Sequence, residues 1–147
     1  MRRIGWFCAL LVPIAAQAAE PSLEQQALAT MKRATAYFTT HVSTRGGYLW
    51  RYSDDLSQRE GENRATPTQV WVQPPGTPAV GLACARAYQA TGDRQFLDAA
   101  VAAAKALVFG QLWSGGWQYY IHLAPPAERR HAYRRLPRPK SKKVRRY

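Results

Sequence analysis

The sequence predicts an all-α fold of helical hairpins, with short aromatic extended segments after Gly-Gly turns. Three observations predict it. Apolar residues recur at helical spacing in three separate stretches. Two of those stretches are joined only by Gly92-Asp93, a link so short that it forces an antiparallel pair. A helix–Gly-Gly–aromatic unit also occurs twice, as Gly46-Gly47-Tyr48-Leu49-Trp50-Arg51-Tyr52 and as Gly115-Gly116-Trp117-Gln118-Tyr119-Tyr120-Ile121. Units of this kind cannot bury their faces alone, and at least ~3 are usually needed for stability. With roughly one and a half hairpins, the architecture is expected to be truncated.

The first helix should begin at Ser22, which has capping-box spacing to Gln25. Leu23, Ala27, Leu28, Met31, Ala34 and Phe38 form its apolar stripe, and β-branched residues end it near Thr39–Val42. Gly46-Gly47 is a turn, and the aromatic run Tyr48–Tyr52 has strand character. Residues 53–69 are polar and read as a surface loop. Val70, Trp71 and Val72 form a short extended piece that Pro74-Pro75-Gly76 ends.

Thr77 is expected to cap the second helix, with Pro78 at its first position. Val80, Ala83, Cys84, Ala87 and Tyr88 are its buried stripe. Gly92 closes it and Asp93 caps the third helix, which should run from about Arg94 to Leu112. Phe96, Leu97, Ala100, Ala103, Ala104, Leu107 and Val108 line its apolar side.

The amino terminus reads as a signal peptide over residues 1–18. Arg2 and Arg3 precede the apolar run Ile4–Val12, and Ala16-Gln17-Ala18 is a small-x-small cleavage site. The run is too short for a bilayer core, which needs ~20 residues. The expected location is secreted or periplasmic, with no membrane span after cleavage. Cleavage leaves one cysteine, Cys84, read as a small buried hydrophobe.

The net charge of +12 is unevenly placed. Residues 19–123, the helical domain, hold nine Lys/Arg against eight Asp/Glu, whereas residues 124–147 hold ten against one. That basic segment is interrupted by prolines and is expected to be disordered. Such a run can meet anionic surfaces electrostatically. No zinc spacing, recognition helix or aromatic-basic interleaving accompanies it, so no specific nucleic acid is expected. His41, His122 and His131 stand isolated in sequence, and no His/Cys/carboxylate cluster has zinc spacing. Ser114 lacks the frame of a hydrolase elbow, and neither Gly-Gly pair makes a phosphate loop.

One stretch is more specific. It runs Ala65-Thr66-Pro67-Thr68-Gln69-Val70-Trp71-Val72-Gln73-Pro74-Pro75-Gly76-Thr77-Pro78-Ala79-Val80-Gly81 and continues with Arg86-Ala87-Tyr88-Gln89-Ala90-Thr91-Gly92-Asp93-Arg94. It ends with Gly110-Gln111-Leu112-Trp113-Ser114-Gly115-Gly116-Trp117. In order and spacing these pieces resemble the pectic acid lyase family, from about Leu23 to Ile121. The resemblance implies helical hairpins of an incomplete α/α toroid-like domain with a groove. It also implies relation to enzymes that cleave polygalacturonate by calcium-assisted β-elimination. A metal ion there neutralises the uronate carboxylate and acidifies the adjacent proton, which an arginine removes. No local match to the family's calcium carboxylates or catalytic arginine occurs. Calcium is thus expected for the full-length family domain, with none evident in this chain. The expected function is an exported pectate lyase-like protein, truncated and inactive alone. The alternative is a non-catalytic protein that binds acidic, pectate-like polysaccharide.

Tyr48, Trp50, Trp71, Trp117 and Tyr119 are candidate sugar contacts, because aromatic faces stack on the apolar faces of sugar rings. The competing role is packing between hairpins. Trp71 and Gln73 lie in a proline-bounded loop, where binding residues concentrate. Arg45, Arg51 and Arg64 could fork onto uronate carboxylates, or form surface ion pairs with Asp54, Asp55, Glu60 or Glu62. The substrate-binding set is Trp50, Arg51, Trp71, Gln73, Trp117 and Tyr119, with no catalytic residue or metal ligand assigned.

Overall fold

A computed structural model describes residues 20–125 and 130–138. The leader expected over 1–18 lies outside these residues, as do 126–129 and 139–147 of the basic segment. The described chain holds three α-helices and two small antiparallel sheets. The all-α expectation is therefore corrected to a mixture of helix and sheet, and the described residues form no toroid. The cause is backbone hydrogen bonding. The extended segments after the Gly-Gly turns need partners for their N–H and C=O groups: the first finds them in Arg59–Glu60, within the segment read as loop, and the second in Gln69–Trp71, mostly the piece expected to be extended.

Helix α1 (Leu23–Tyr37) starts with the expected capping box. Ser22 Oγ accepts from the Gln25 N–H at 3.2 Å, and Gln25 Oε1 accepts from the Ser22 N–H at 2.9 Å. It widens at its end into a π turn, Phe38–Val42, where Thr39, Thr40 and Ser43 hydroxyls bond back to earlier carbonyls. No residue of α1 is buried. The face that meets the body carries Leu28, Lys32 and Thr35, all half-buried. Apart from Leu28, the expected stripe of Leu23, Ala27, Met31, Ala34 and Phe38 lies about a quarter turn round the helix at ~100° per residue. It faces solvent, with Leu23 83 % exposed.

The chain reverses at Arg45-Gly46, both in left-handed geometry with φ of 51° and 82°. A side chain on Gly46 would collide with the Ala102 backbone in the third helix, so only glycine fits there. Strand β1 (Arg51–Tyr52) pairs antiparallel with β2 (Arg59–Glu60), Arg51 opposite Glu60 and Tyr52 opposite Arg59. Strand β3 (Gln69–Trp71) pairs antiparallel with β4 (Tyr120–His122) in the register Gln69–His122, Val70–Ile121, Trp71–Tyr120. The two Gly-Gly units thus have different partners: the first closes a local hairpin, the second a long-range ribbon.

Helices α2 (Thr77–Thr91) and α3 (Arg94–Phe109) form the expected antiparallel pair around Gly92, which adopts φ 70°. Two boundaries move. The α2 cap is Gly76 rather than Thr77, and α3 ends at Phe109 rather than Leu112. Asp93 caps α3 as expected, its Oδ1 accepting from the Gln95 N–H at 2.9 Å. The buried face of α3 is Phe96, Ala99, Ala103 and Ala106. In α2 only Thr77 is fully buried, and the stripe expected there is half-buried or exposed. Cys84 is half-buried, and burial pushes its thiol up from the ordinary value.

The core lies on the β3–β4 ribbon beneath the end of α3. Val70, Ile121, Leu123 and Tyr133 are its buried centre, with Val72, Leu107, Phe109, Leu112 and Leu136 packed round it. Tyr133 and Leu136 belong to the basic segment 124–147, of which residues 124–125 and 130–138 are described. Residues 130–138 return to the body. The Trp113 N–H donates to the Ala132 carbonyl at 2.9 Å, and the Arg134 N–H to the Gln111 carbonyl at 2.8 Å. Arg135 lies between aromatic rings, 3.7 Å from the centroid of Phe109 and 4.2 Å from that of Tyr133. A buried tyrosine and a stacked guanidinium offset the ordering of a segment whose composition alone suggests none.

Candidate functional site

A cleft of about 500 Å³ opens where the first Gly-Gly unit meets the proline-bounded loop. Phe38, Tyr48, Trp50, Arg51, Tyr52 and Pro75 line it, with Leu49 and Val80. Four side chains are aromatic, and one is a cation on the rim. The lining comes from three places: the π turn after α1, the 48–52 run, and the approach to α2.

Tyr48 anchors the floor. Its N–H donates to Thr77 Oγ1 at 2.9 Å, and its carbonyl accepts from the Thr77 hydroxyl at 3.2 Å and from the Trp71 N–H at 2.8 Å. Burial raises the Tyr48 phenol to about 12, helped by Cys84 and Tyr52. It therefore stays neutral at ordinary pH. Tyr52 turns back on its own run, its Oη accepting from the Leu49 N–H at 2.7 Å. Burial raises the Tyr52 phenol too, against the lowering effect of the Leu49 bond and Arg59.

Gln73 joins two tryptophans. Its carbonyl accepts from Trp50 Nε1 at 3.0 Å, and its Oε1 accepts from Trp71 Nε1 at 3.3 Å. The rings of Trp50 and Trp71 meet edge to face at 6.1 Å. Trp71 is buried and packs on Tyr120 on its other side, with centroids 5.2 Å apart. It supports Trp50 and presents no free face to a ligand. Trp50 is half-buried and lines the cleft.

Arg51 is exposed and pairs with Glu60 at 2.8 Å, across the register that β1 and β2 impose. An exposed pair of this kind contributes little, so the guanidinium is available to a competing carboxylate. Asp55 is committed to the turn beyond. Its Oδ1 accepts from the Ser53 and Ser57 hydroxyls at 2.6 and 2.8 Å and from the Ser57 N–H at 3.0 Å. Those bonds, the Ser53 hydroxyl first, lower the carboxyl to about 2.

Of the six substrate contacts expected from the sequence, the structure brings Trp50, Arg51, Trp71 and Gln73 together and leaves Trp117 and Tyr119 apart. Trp117 lies beyond α3 and donates from Nε1 to the Leu107 carbonyl at 2.7 Å. Tyr119 is 60 % exposed, its carbonyl accepting from the Val72 N–H at 2.7 Å. Neither lines the cleft. Of the other two arginine candidates, Arg45 donates to the Leu123 carbonyl at 3.2 Å and Arg64 is exposed outside the cleft. Five cleft residues were not foreseen as contacts. Phe38 and Val80 fall in helical stripes and read as core, and Leu49, Tyr52 and Pro75 read only as parts of an extended run or its end.

Among the described residues no group of three or more His, Cys, Asp or Glu side chains comes together to hold a metal ion. Calcium takes six to eight oxygen ligands. The described side chains do not form that cage. Among them, too, no helix is long and apolar enough to cross a membrane. No family model matches the chain, and no curated protein or solved structure matches it either.

Proposed function

We propose that this chain is an exported, pectate lyase-like protein that binds an acidic polysaccharide at the Trp50–Arg51 cleft without turning it over. The observation that carries the reading is the pairing, on one rim, of an aromatic face with an exposed guanidinium. A uronate ring needs both: an apolar surface for its C–H face and a fork for its carboxylate. The tyrosines of the floor are neutral, so they offer hydroxyls and ring faces without opposing the anion. Gln73 fixes the Trp50 plane through the indole N–H, which limits the rotamer freedom lost on binding. Arg51 exchanges Glu60 for the sugar carboxylate at small cost, because both partners of that pair are already hydrated.

The test is calorimetric titration of the protein with oligogalacturonate and, separately, with a neutral oligosaccharide of equal length. Binding is expected for the acidic ligand, weakened at least about tenfold by either Trp50→Ala or Arg51→Gln, with loss concentrated in a few central residues. Equal affinity for the neutral ligand would remove the role given to Arg51. No binding of either would remove the reading altogether. Ultraviolet absorbance of an unsaturated product, with calcium added, tests turnover in the same samples, and a rise would overturn the non-catalytic assignment.

A further inference from the structure

Strand β4 ends in a histidine with an unusual setting. His122 is 3 % exposed, and neither Nδ1 nor Nε2 has a hydrogen-bond partner among the described residues. His131, carried by the 130–138 segment, stacks on it with centroids 5.6 Å apart and planes 18° from parallel. Its Nε2 is also buried without a partner. Two imidazoles from separate parts of the chain thus meet with three of their four ring nitrogens buried and unpartnered among the described residues.

The groups facing the pair are aromatic or positively charged. From β4, Tyr120 sits 5.2 Å from His122 and 5.8 Å from His131, ring to ring. From the returning segment, the Tyr133 ring lies 5.6 Å from His131, and its Oη accepts from the His122 N–H at 2.9 Å. Arg135 donates to the His122 carbonyl at 3.0 Å, and the charge of Arg130 bears on both imidazoles. From the turn after α1, Arg45 holds the next carbonyl, that of Leu123. Protonating either ring adds a positive charge beside these cations, with no described carboxylate to meet it. A metal ion fits less well, because Arg130 repels it and no third metal-binding side chain among the described residues joins the pair.

We propose that His122 and His131 form an acid-released latch. At neutral pH the two uncharged rings hold residues 130–138 against β4. On acidification that segment detaches and uncovers Tyr120 and Tyr133, while α2 and α3 stay folded. The sign follows from linkage. Burial lowers both imidazoles from the ordinary 6.5, with His131 and then Arg130 adding for His122, and Arg130 adding for His131. The detached form therefore binds more protons in the window below 6.5. Attachment is complete above that value and weakens as pH falls below it. Detachment is local because the backbone ties of the segment are two bonds, of Ala132 and Arg134 to the 111–113 turn, and its side-chain bonds meet that turn, β4 and the last residue of α3 rather than the helical interface.

Hydrogen exchange on the full chain tests this at about pH 7.5 and about pH 5, with protection corrected for the intrinsic exchange rate. The Arg134 and Trp113 amides are expected to lose at least about tenfold in protection at the lower pH, while amides of α2 and α3 keep theirs. His131→Phe and His122→Phe each keep a ring and remove a titrating group, so each should shrink that step. Unchanged protection at low pH would overturn the latch. So would a drop that survives in both variants, or one shared by α3. Should the variants misfold, nuclear magnetic resonance titration of the wild-type imidazoles decides, since midpoints at or above the ordinary value would sink the proposal. Zinc that raises protection at neutral pH, with no effect of acid, would make the pair a metal site instead.

Discussion

The hydroxyl of Thr77 serves Tyr48 rather than its own helix. It accepts from one backbone group and donates to the other, and it is fully buried. Thr77→Val removes both bonds and leaves the Tyr48 N–H buried without a partner. A loss of about 1–3 kcal/mol in urea unfolding is expected, with Thr77→Ser retaining most of the stability. Equal stability of the valine variant would show that Tyr48 finds another partner. Asp55 supports a prediction in pH. Its carboxyl is lowered to about 2 from the ordinary 3.8 by the Ser53 and Ser57 bonds. The turn it organises is thus fully supported above 3.8, and that support is lost as pH falls through about 2. The Ser57 amide shift should report this low midpoint, whereas an ordinary carboxylate midpoint would contradict it. Residue identity alone marked Thr77 as a cap. It could not show that a carbonyl and an N–H from another loop arrive at the same hydroxyl.

At the scale of elements, α1 is held to the body chiefly through α3. Lys32 Nζ lies 2.6 Å from Asp93 Oδ2, and Gln95 Nε2 donates to the Lys32 carbonyl at 2.7 Å. Asp93 therefore caps one helix and tethers another. The two roles separate by mutation. Asp93→Asn keeps an oxygen for the cap and removes the charge for Lys32, so exchange should quicken in α1 and not at the start of α3. Asp93→Ala removes both, and both should quicken. Identical patterns in the two variants would deny the tether. The helices themselves were legible in sequence. The capping box, Gly92 and Asp93 are local signals, and each lies where the spacing puts it. The packed face of α1 was only partly legible, because Leu28 alone of the apolar stripe marks it, beside Lys32 and Thr35. The strands were half legible. Val70 and Trp71 read as extended, but β2 carries only Arg59 and Glu60, whose pairing depends on Arg51 and Tyr52 across the turn.

For the whole molecule, the apolar periodicity that suggested an all-helical protein marks surface as often as core. Leu82 and Val108 are exposed, and a groove of about 410 Å³ between α2 and α3 is lined by Leu82, Ala85, Val101, Ala104 and their neighbours. Contiguous apolar surface of this kind binds hydrophobic dyes in the native state. Dye fluorescence is expected to fall in the double variant Leu82→Ser, Val101→Ser with the melting temperature nearly unchanged, since surface substitutions usually stay within about 0.5 kcal/mol. A large loss of stability would place those residues inside a core. The centre of the fold was the least legible part. Tyr133 is fully buried, yet its neighbours in sequence are arginines and prolines, and only the rings of Phe109 and Tyr133 around Arg135 explain how it gets there. For the cleft, Trp50 was visible from the aromatic run after Gly46-Gly47, Arg51 from its guanidinium and Gln73 from loop position. The supporting role of Trp71 required the β3–β4 register.

That register also orders assembly in time. Strands β3 and β4 are roughly fifty residues apart in the chain, with the whole α2–α3 pair between them. Val70 and Trp71 emerge early and have no sheet partner until Ile121 follows. The helical pair can form alone from contacts between neighbours, and it brings the two strand ends into reach. The ribbon then closes late, at the entropic cost of a long loop. A nascent chain halted before Tyr120 should hold its helices while Val70, part of the buried centre of the finished core, and its neighbour Trp71 stand open to solvent.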